Sequence, residues 1–337
     1  MKNYIGLDAH SKTCTFVCMT EEGELTTSAE IETREGSLKK FLSTIKGEKQ
    51  LTFEESSLSQ WLYVILKDEV DRLVVCNPVF IARNPRTKND YNDALHLATE
   101  LRCGHITAVY HEDSPLIRLR ALMSGYNDLV LADIKLKNQF KALLRKEGIV
   151  PSGKTIYEDL KAAEVLSVEE DRFVDRKLLL SLAHFSRIKR EYEVQIKENE
   201  ERVPEIKKLM SIPGIGNVRA HAIVSATCTA KRFRSKHHYW SYCMLAKHVE
   251  KSGGSVMSKR YKYGRVELKE VFISAAQSVL AGNSALKKYF DHLILKGFDR
   301  KKARRAVARK IASISLSIMK TGERYSDIKI LNQILAP

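Results

Sequence analysis

The sequence predicts a mixed α/β amino-terminal domain followed by mostly helical segments, and three observations predict it. Short apolar runs bounded by turn residues fill roughly the first quarter of the chain, with helical spacing between the later ones. From about residue 114 onward, apolar residues recur instead at spacings of three and four. At 337 residues with 44% hydrophobic residues, the chain can bury more than one core.

Residues 4–8, 13–20 and about 25–32 read as three strands, separated by the turn-like His10-Ser11-Lys12 and Glu21-Glu22-Gly23-Glu24. Leu38, Phe41, Leu42 and Ile45 mark a helix over 37–45. A strand at 51–54, a helix at 58–68 and a strand at 73–76 follow. After Pro78 come a short helix, a basic connection through Arg83 to Lys88, and a helix over 90–103. This βββαβαβ order, closed by a helix that carries acids, is the ribonuclease-H-like layout, a central mixed sheet flanked by helices.

The pattern from Ser114 to Gly148 predicts one long helix, with Pro115 in its first turn. Residues 155–202 supply two or three further charged helices with apolar stripes. Residues 112–202 therefore read as a helical coiled-coil spacer, the amino-terminal domain as 1–111, and a mostly helical carboxy-terminal domain as 203–337. Ile212-Pro213-Gly214-Ile215-Gly216-Asn217 has the form of a helix-hairpin-helix turn. There Gly214 and Gly216 let backbone approach closely, and the next helix offers free N–H groups to a phosphate; a plain tight turn between helices is the alternative.

A formal net charge of +16 points to a polyanionic partner. Three basic runs in the carboxy-terminal half agree. Lys231, Arg232 and Arg234 precede His237, His238, Tyr239 and Trp240; Lys259, Arg260, Lys262 and Arg265 surround Tyr261 and Tyr263; and a third run spans Arg300 to Lys310. Cations mixed with aromatics suit phosphate contact and base stacking, although each run alone reads equally as a solvated face. The six cysteines form no C-x-x-C pair, which argues against a zinc ribbon or disulfide framework and for a reducing cytoplasm. The histidines at 221, 237, 238 and 248 lack finger spacing, so no zinc is expected. No apolar run has the length of a membrane span and no signal-peptide pattern opens the chain, so no membrane partner is expected.

Four acids carry the candidate chemistry. Asp8 ends a strand in which an unpaired carboxylate would be costly, Glu54 closes another, and Asp90 and Asp93 sit one turn apart on a helix. Converged, they would form a hard-oxygen cage suited to magnesium or manganese. Ser252, beside Gly253 and Gly254, is an uncrowded hydroxyl that a base or metal could activate, while Ser-Gly-Gly-Ser reads as readily as a flexible connection.

Together, Tyr4-Ile5-Gly6-Leu7-Asp8-Ala9-His10, Phe53-Glu54-Glu55, Arg86-Thr87-Lys88-Asn89-Asp90-Tyr91-Asn92-Asp93-Ala94, Pro213-Gly214-Ile215-Gly216 and Lys251-Ser252-Gly253 resemble the IS one-ten family of insertion-sequence transposases, the DEDD transposases. The resemblance covers nearly the whole chain. It implies a RuvC-like amino-terminal domain with a magnesium-binding quartet at Asp8, Glu54, Asp90 and Asp93, a coiled-coil link, and a transposase domain whose nucleophilic serine is Ser252. It further implies recombination of DNA by a homo-oligomer, a dimer or tetramer, guided by a noncoding bridge RNA, in the cytoplasm. Two positions depart from the family pattern: Asn89 stands where Thr is usual, and Glu54-Glu55-Ser56-Ser57 replaces a run through Thr-Gly. Glu55 is thus a competing second ligand, and Ser255 and Ser258 are competing nucleophiles.

Other readings predict different residues. A junction endonuclease of the same fold would use water and need no serine. A sugar-kinase or actin-like ATPase would carry a glycine-rich turn where this chain has Ala9-His10-Ser11-Lys12. A scaffold with a decayed site would not keep all four quartet positions acidic.

Overall fold

The computed structural model describes residues 1–80, 89–150, 155–157, 165–252, 255–260 and 264–335. Its contacts divide the chain into two compact units, Met1–Ser114 and Pro115–Pro337, each described by itself.

The first unit is built on strands β1 (Lys2–Ala9), β2 (Thr13–Met19), β3 (Leu25–Glu32), β4 (Glu48–Glu54), β5 (Arg72–Cys76) and β6 (Ala108–Val109). Their order across the sheet is β3-β2-β1-β4-β5-β6. The first three strands form an antiparallel meander, β1, β4 and β5 run parallel, and β6 returns antiparallel to β5. Helices α1 (Glu35–Thr44), α2 (Ser59–Leu66) and α3 (Asp90–Arg102) complete it. This six-stranded mixed sheet with flanking helices is compatible with the predicted ribonuclease-H-like layout, in the predicted element order. Strand β6 was not foreseen, because two residues are too few to show a period.

Strand alternation separates two apolar faces. Ile5, Leu7, Phe16, Leu51 and Phe53 pack with Leu38 and Leu42 of α1 and Leu62 and Leu66 of α2. Tyr4, Met19 and Val74 meet Ala98 and Leu101 of α3 on the other side. Gly6 lies under α3: a Cβ there would fall 1.9 Å from the Ala94 carbonyl oxygen and 2.6 Å from the Ala98 nitrogen. Only glycine lets this helix lie so close to β1. That closeness brings the first turn of α3 towards the carboxyl end of β1.

In the second unit, α4 (Pro115–Lys146) opens on its proline, as the sequence predicts. Where two or three helices were expected over 155–202, the described residues show one long helix, α5 (Glu169–Asn199), and a short 3₁₀ turn at Thr155–Tyr157. No glycine or proline interrupts 169–199, so nothing in the backbone stops the helix. Helices α4 and α5 pair antiparallel within one chain. Tyr126 donates to Glu193 at 3.0 Å near one end, and Lys146 pairs with Asp171 at 3.0 Å near the other. Phe140, Leu144 and Leu179 lie buried between.

The remaining elements are α6 (Pro204–Leu209), α7 (Asn217–Thr227), α8 (Lys236–Tyr242), strands β7 (His248–Ser252) and β8 (Ser255–Arg260), α9 (Val266–Val279), α10 (Ala285–Leu295), α11 (Arg300–Thr321) and α12 (Asp327–Leu335). One core joins the helices, centred on Ile223, Tyr239, Phe272, Leu286 and Ile311. The antiparallel pair β7–β8 is the exception to an otherwise helical unit and was not foreseen, because its strand pattern is hidden among charged residues. No helix among the described residues is long and apolar enough to cross a membrane.

Candidate active site and basic surfaces

Asp8 occupies the penultimate position of β1, with a partly covered side chain. Glu54 ends β4, one residue beyond the paired Leu7 and Phe53, so strand register sets it beside Asp8 on the same face of the sheet. Asp90 and Asp93 lie in the first turn of α3, where the helix's free N–H groups favour negative charge. Asn89 caps that helix, its side chain accepting from the Asn92 N–H at 2.7 Å. The departure from threonine at this position therefore keeps a capping residue.

Sequence reasoning missed His10 as part of this cluster. Its Nε2 lies 3.0 Å from Asp8 Oδ2 and 3.6 Å from Asp90 Oδ1, and ligand-capable atoms of Asp8, His10 and Asp90 all fall within 4.8 Å of one another. Glu54 and Asp93 stand outside that trio. The available signal was the two-residue spacing of Asp8-Ala9-His10, which had been read only as the start of a turn. Burial holds the Asp8 carboxyl above its ordinary range. His10 opposes the rise through its charge and hydrogen bond, while the charges of Asp90 and Asp93 add to it. Asp93 is thus electrically coupled to Asp8.

Glu55 faces a different set of groups. Its Oε2 lies 2.5 Å from Nε2 of the buried His111, whose Nδ1 lies 3.0 Å from Gln60 Oε1. Buried Ser59 fixes the turn after β4: its hydroxyl donates to the Glu54 carbonyl at 3.1 Å and accepts from the Ser56 N–H.

In the second unit, Ser252 ends β7 opposite Ser255 of β8, while Gly253 and Gly254 lie outside the described residues. Ser258 pairs with Glu250, and the basic Lys259 and Arg260 pair with Val249 and His248. Lys262 lies outside the described residues. Arg265 is exposed just before α9. Lys231 and Arg234 are exposed, whereas Arg232 is drawn inward. Its guanidinium lies 4.6 Å from the Phe233 ring centre and 4.5 Å from that of Tyr242, and it donates to the Ala226 carbonyl.

The two turn glycines differ in kind. Gly214 has φ +83°, and a Cβ there would lie 2.5 Å from the Ala275 carbonyl oxygen of α9, so packing and conformation both require glycine. Gly216 directly precedes α7 and has open space where its Cβ would be.

A mixed sheet carrying clustered carboxylates at the ends of β1 and α3 has the layout of metal-dependent polynucleotide-cutting enzymes. Residues 206–291 match the family model described as Transposase IS116/IS110/IS902 family, and residues 5–148 match the DEDD transposase model of IS110. The two matches cover about two thirds of the chain between them. The chain belongs to the IS110 family of transposases, enzymes that cut and rejoin DNA. No curated protein matches it. The DEDD family's dependence on a divalent metal agrees with the acidic cluster around Asp8.

Proposed function

We propose that this transposase works with two chemical groups: the quartet Asp8, Glu54, Asp90 and Asp93, which holds magnesium or manganese, and Ser252, which attacks the DNA backbone. The observation that carries the reading is the convergence of Asp8 with Asp90 and the electrical coupling of Asp8 to Asp93. Close carboxylates on a partly covered strand end repel one another, and hard oxygen donors of this kind fit a hard divalent cation. A cation held by these carboxylates would supply charge neutralisation and orientation at the scissile phosphate. Glu54 is favoured over Glu55 as the second acid, because it shares a sheet face with Asp8 while Glu55 is engaged by His111. His10 supports the cluster by holding the Asp8 and Asp90 carboxylates towards one ring nitrogen.

Ser252 is the nucleophile on the resemblance of Lys251-Ser252-Gly253 and on its place at the end of a hairpin strand beside two glycines. In the attack a bond forms between Oγ and phosphorus as one phosphorus–oxygen bond to deoxyribose breaks. The serine proton is released and the departing sugar oxygen takes one up; rejoining reverses these events. The division into a nuclease domain at 1–111, a helical spacer at 112–202 and a transposase domain at 203–337 follows these roles. Lys231, Arg232, Arg234, Lys259, Arg260, Lys262 and Arg265, together with the Gly214-to-Gly216 turn at the start of α7, form the nucleic-acid contact set. Within it, Arg232 acts through the aromatic packing that it holds in place. A noncoding bridge RNA guides the reaction and the working form is a homo-oligomer.

The test compares Asp8→Asn and Ser252→Ala. Both should abolish recombination, and only the serine change should abolish a covalent protein–DNA adduct. Full activity in Ser252→Ala rejects the nucleophile. Cutting by the wild type with no adduct at all favours a water-using junction endonuclease. Sequencing RNA that copurifies with the protein from cells carrying the element's flanking DNA tests the guide.

A further inference from the structure

The second unit contains a cleft of about 530 Å³ that the proposed function does not use. Helix α8 contributes Lys236 and Trp240, α10 contributes Tyr289, α11 contributes Arg309 and Lys310, and Tyr325 also lines it. A volume of this size suits a small organic molecule or a single monomer unit.

Its chemistry is uneven. Four cations line it, with Arg324 the fourth, against one acid, Glu323. Lys310 is half-buried, and burial, followed by the charge of Lys236, lowers its affinity for a proton. An anion lodged beside these neighbouring cations is attracted by each of them. Beside these cations stands an aromatic platform. The Trp240 ring has the Arg309 guanidinium 5.7 Å and the Lys236 ammonium 5.8 Å from its centre, and its indole N–H donates to the Arg309 carbonyl at 2.9 Å and the Ser313 hydroxyl at 3.0 Å. Those bonds fix the ring against α11. Ser313, Ser317 and Thr321 line the same helix and add hydroxyls along the cleft.

Anchored indole, adjacent cations and hydroxyls in one concavity match the parts of a nucleotide, with a flat base to stack and a phosphate to pair. A duplex presents its bases only as edges in its grooves and cannot insert one here. We propose that this cleft is a seat for one unpaired nucleotide of a nucleic-acid strand, its base against Trp240 and its phosphate held by Lys236, Arg309 and Lys310. The site rests on the family's nucleic-acid substrate and is independent of the serine and the quartet.

The chain has two tryptophans, so Trp61→Phe leaves Trp240 as the only one. In that full-length protein a short single-stranded oligothymidylate should quench tryptophan fluorescence saturably, and a duplex of equal length should not. Lys236→Ala, at an exposed position, and Lys310→Ala should each raise the half-saturating concentration about tenfold, with duplex binding by anisotropy held within about twofold. Thermal melting confirms that each variant is folded; if Lys310→Ala is not, Lys236→Ala decides. Adding Asp8→Asn should abolish cutting and leave the quench intact, which separates failure of this inference from failure of the proposed function. Equal quenching by duplex, no quenching by the single strand, or an unchanged midpoint in Lys236→Ala overturns the seat.

Discussion

Gly6→Ala tests whether the approach of α3 to β1 builds the acidic cluster. The new methyl would meet the Ala94 carbonyl oxygen at 1.9 Å, and ordinary contact begins near 3.4 Å, so strand and helix must part by about 1.5 Å. Both opposing atoms are backbone, and no side chain can rotate away. Overpacking of this kind costs about 1–3 kcal/mol. The displacement also moves Asp90, one turn before Ala94, away from Asp8, and misplacement by about 1 Å is enough to cost about 100-fold in rate. The assay pairs urea unfolding with metal-dependent strand cutting and a manganese titration. The variant should fold with reduced stability, cut DNA about 100-fold more slowly, and require more metal. Gly36→Ala is the control: it lies in α1 with open space at its Cβ position and should stabilise by about 0.5 kcal/mol without touching activity. A Gly6→Ala protein with wild-type stability, rate and metal requirement would falsify the reasoning.

Asp175 of α5 is fully buried, its two oxygens have no hydrogen-bond partner among the described residues, and burial, aided by the charge of Asp171, pushes its carboxyl up to about 6. A raised carboxyl binds a proton more tightly in the folded state, so wild-type stability should fall as pH rises from about 4 to 6 and then level off. Asp175→Asn should therefore match the wild type near pH 4 and exceed it by about 3 kcal/mol above pH 7 in urea unfolding; a difference that does not change with pH refutes this. Gly214→Ala, strained at φ +83° and facing the Ala275 carbonyl at 2.5 Å, should destabilise the second unit by about 2 kcal/mol or more, read as a lower melting temperature. Of the six free cysteines only Cys103 is exposed, so a thiol reagent should label one site quickly in native protein and all six in denaturant. Two or more fast sites would contradict the packing of β2, β5 and the carboxyl ends of α7 and α8.

The elements whose residues repeat with a clear period were legible in the sequence. Strands β1 to β5, helix α3 and the opening of α4 at Pro115 all follow from local alternation, three-and-four spacing, or a proline in a first turn. The places of Asp8 and Glu54 near strand ends, and of Asp90 and Asp93 in the first turn of a helix, were legible for the same reason. Features that depend on partners distant in the chain were not. His10 joined the cluster only when α3 came to lie over β1, and Glu55 separated from Glu54 only when His111 arrived from beyond α3. The hairpin β7–β8 has too mixed a pattern to announce itself, and α5 runs unbroken through much of a span read as two or three helices.

By itself, then, the sequence determined strands β1 to β5 and the helices of the first unit, which residues carry negative charge near their ends, and that the chain as a whole is strongly basic. These properties follow from neighbouring side chains and composition. Only the tertiary structure decided which acid shares a face with Asp8, that Gly214 is glycine for the sake of α9, and that Trp240 and Lys310 line one cleft. Such facts arise from contacts between residues separated by tens of positions, and no local pattern encodes which surfaces meet when the chain closes on itself.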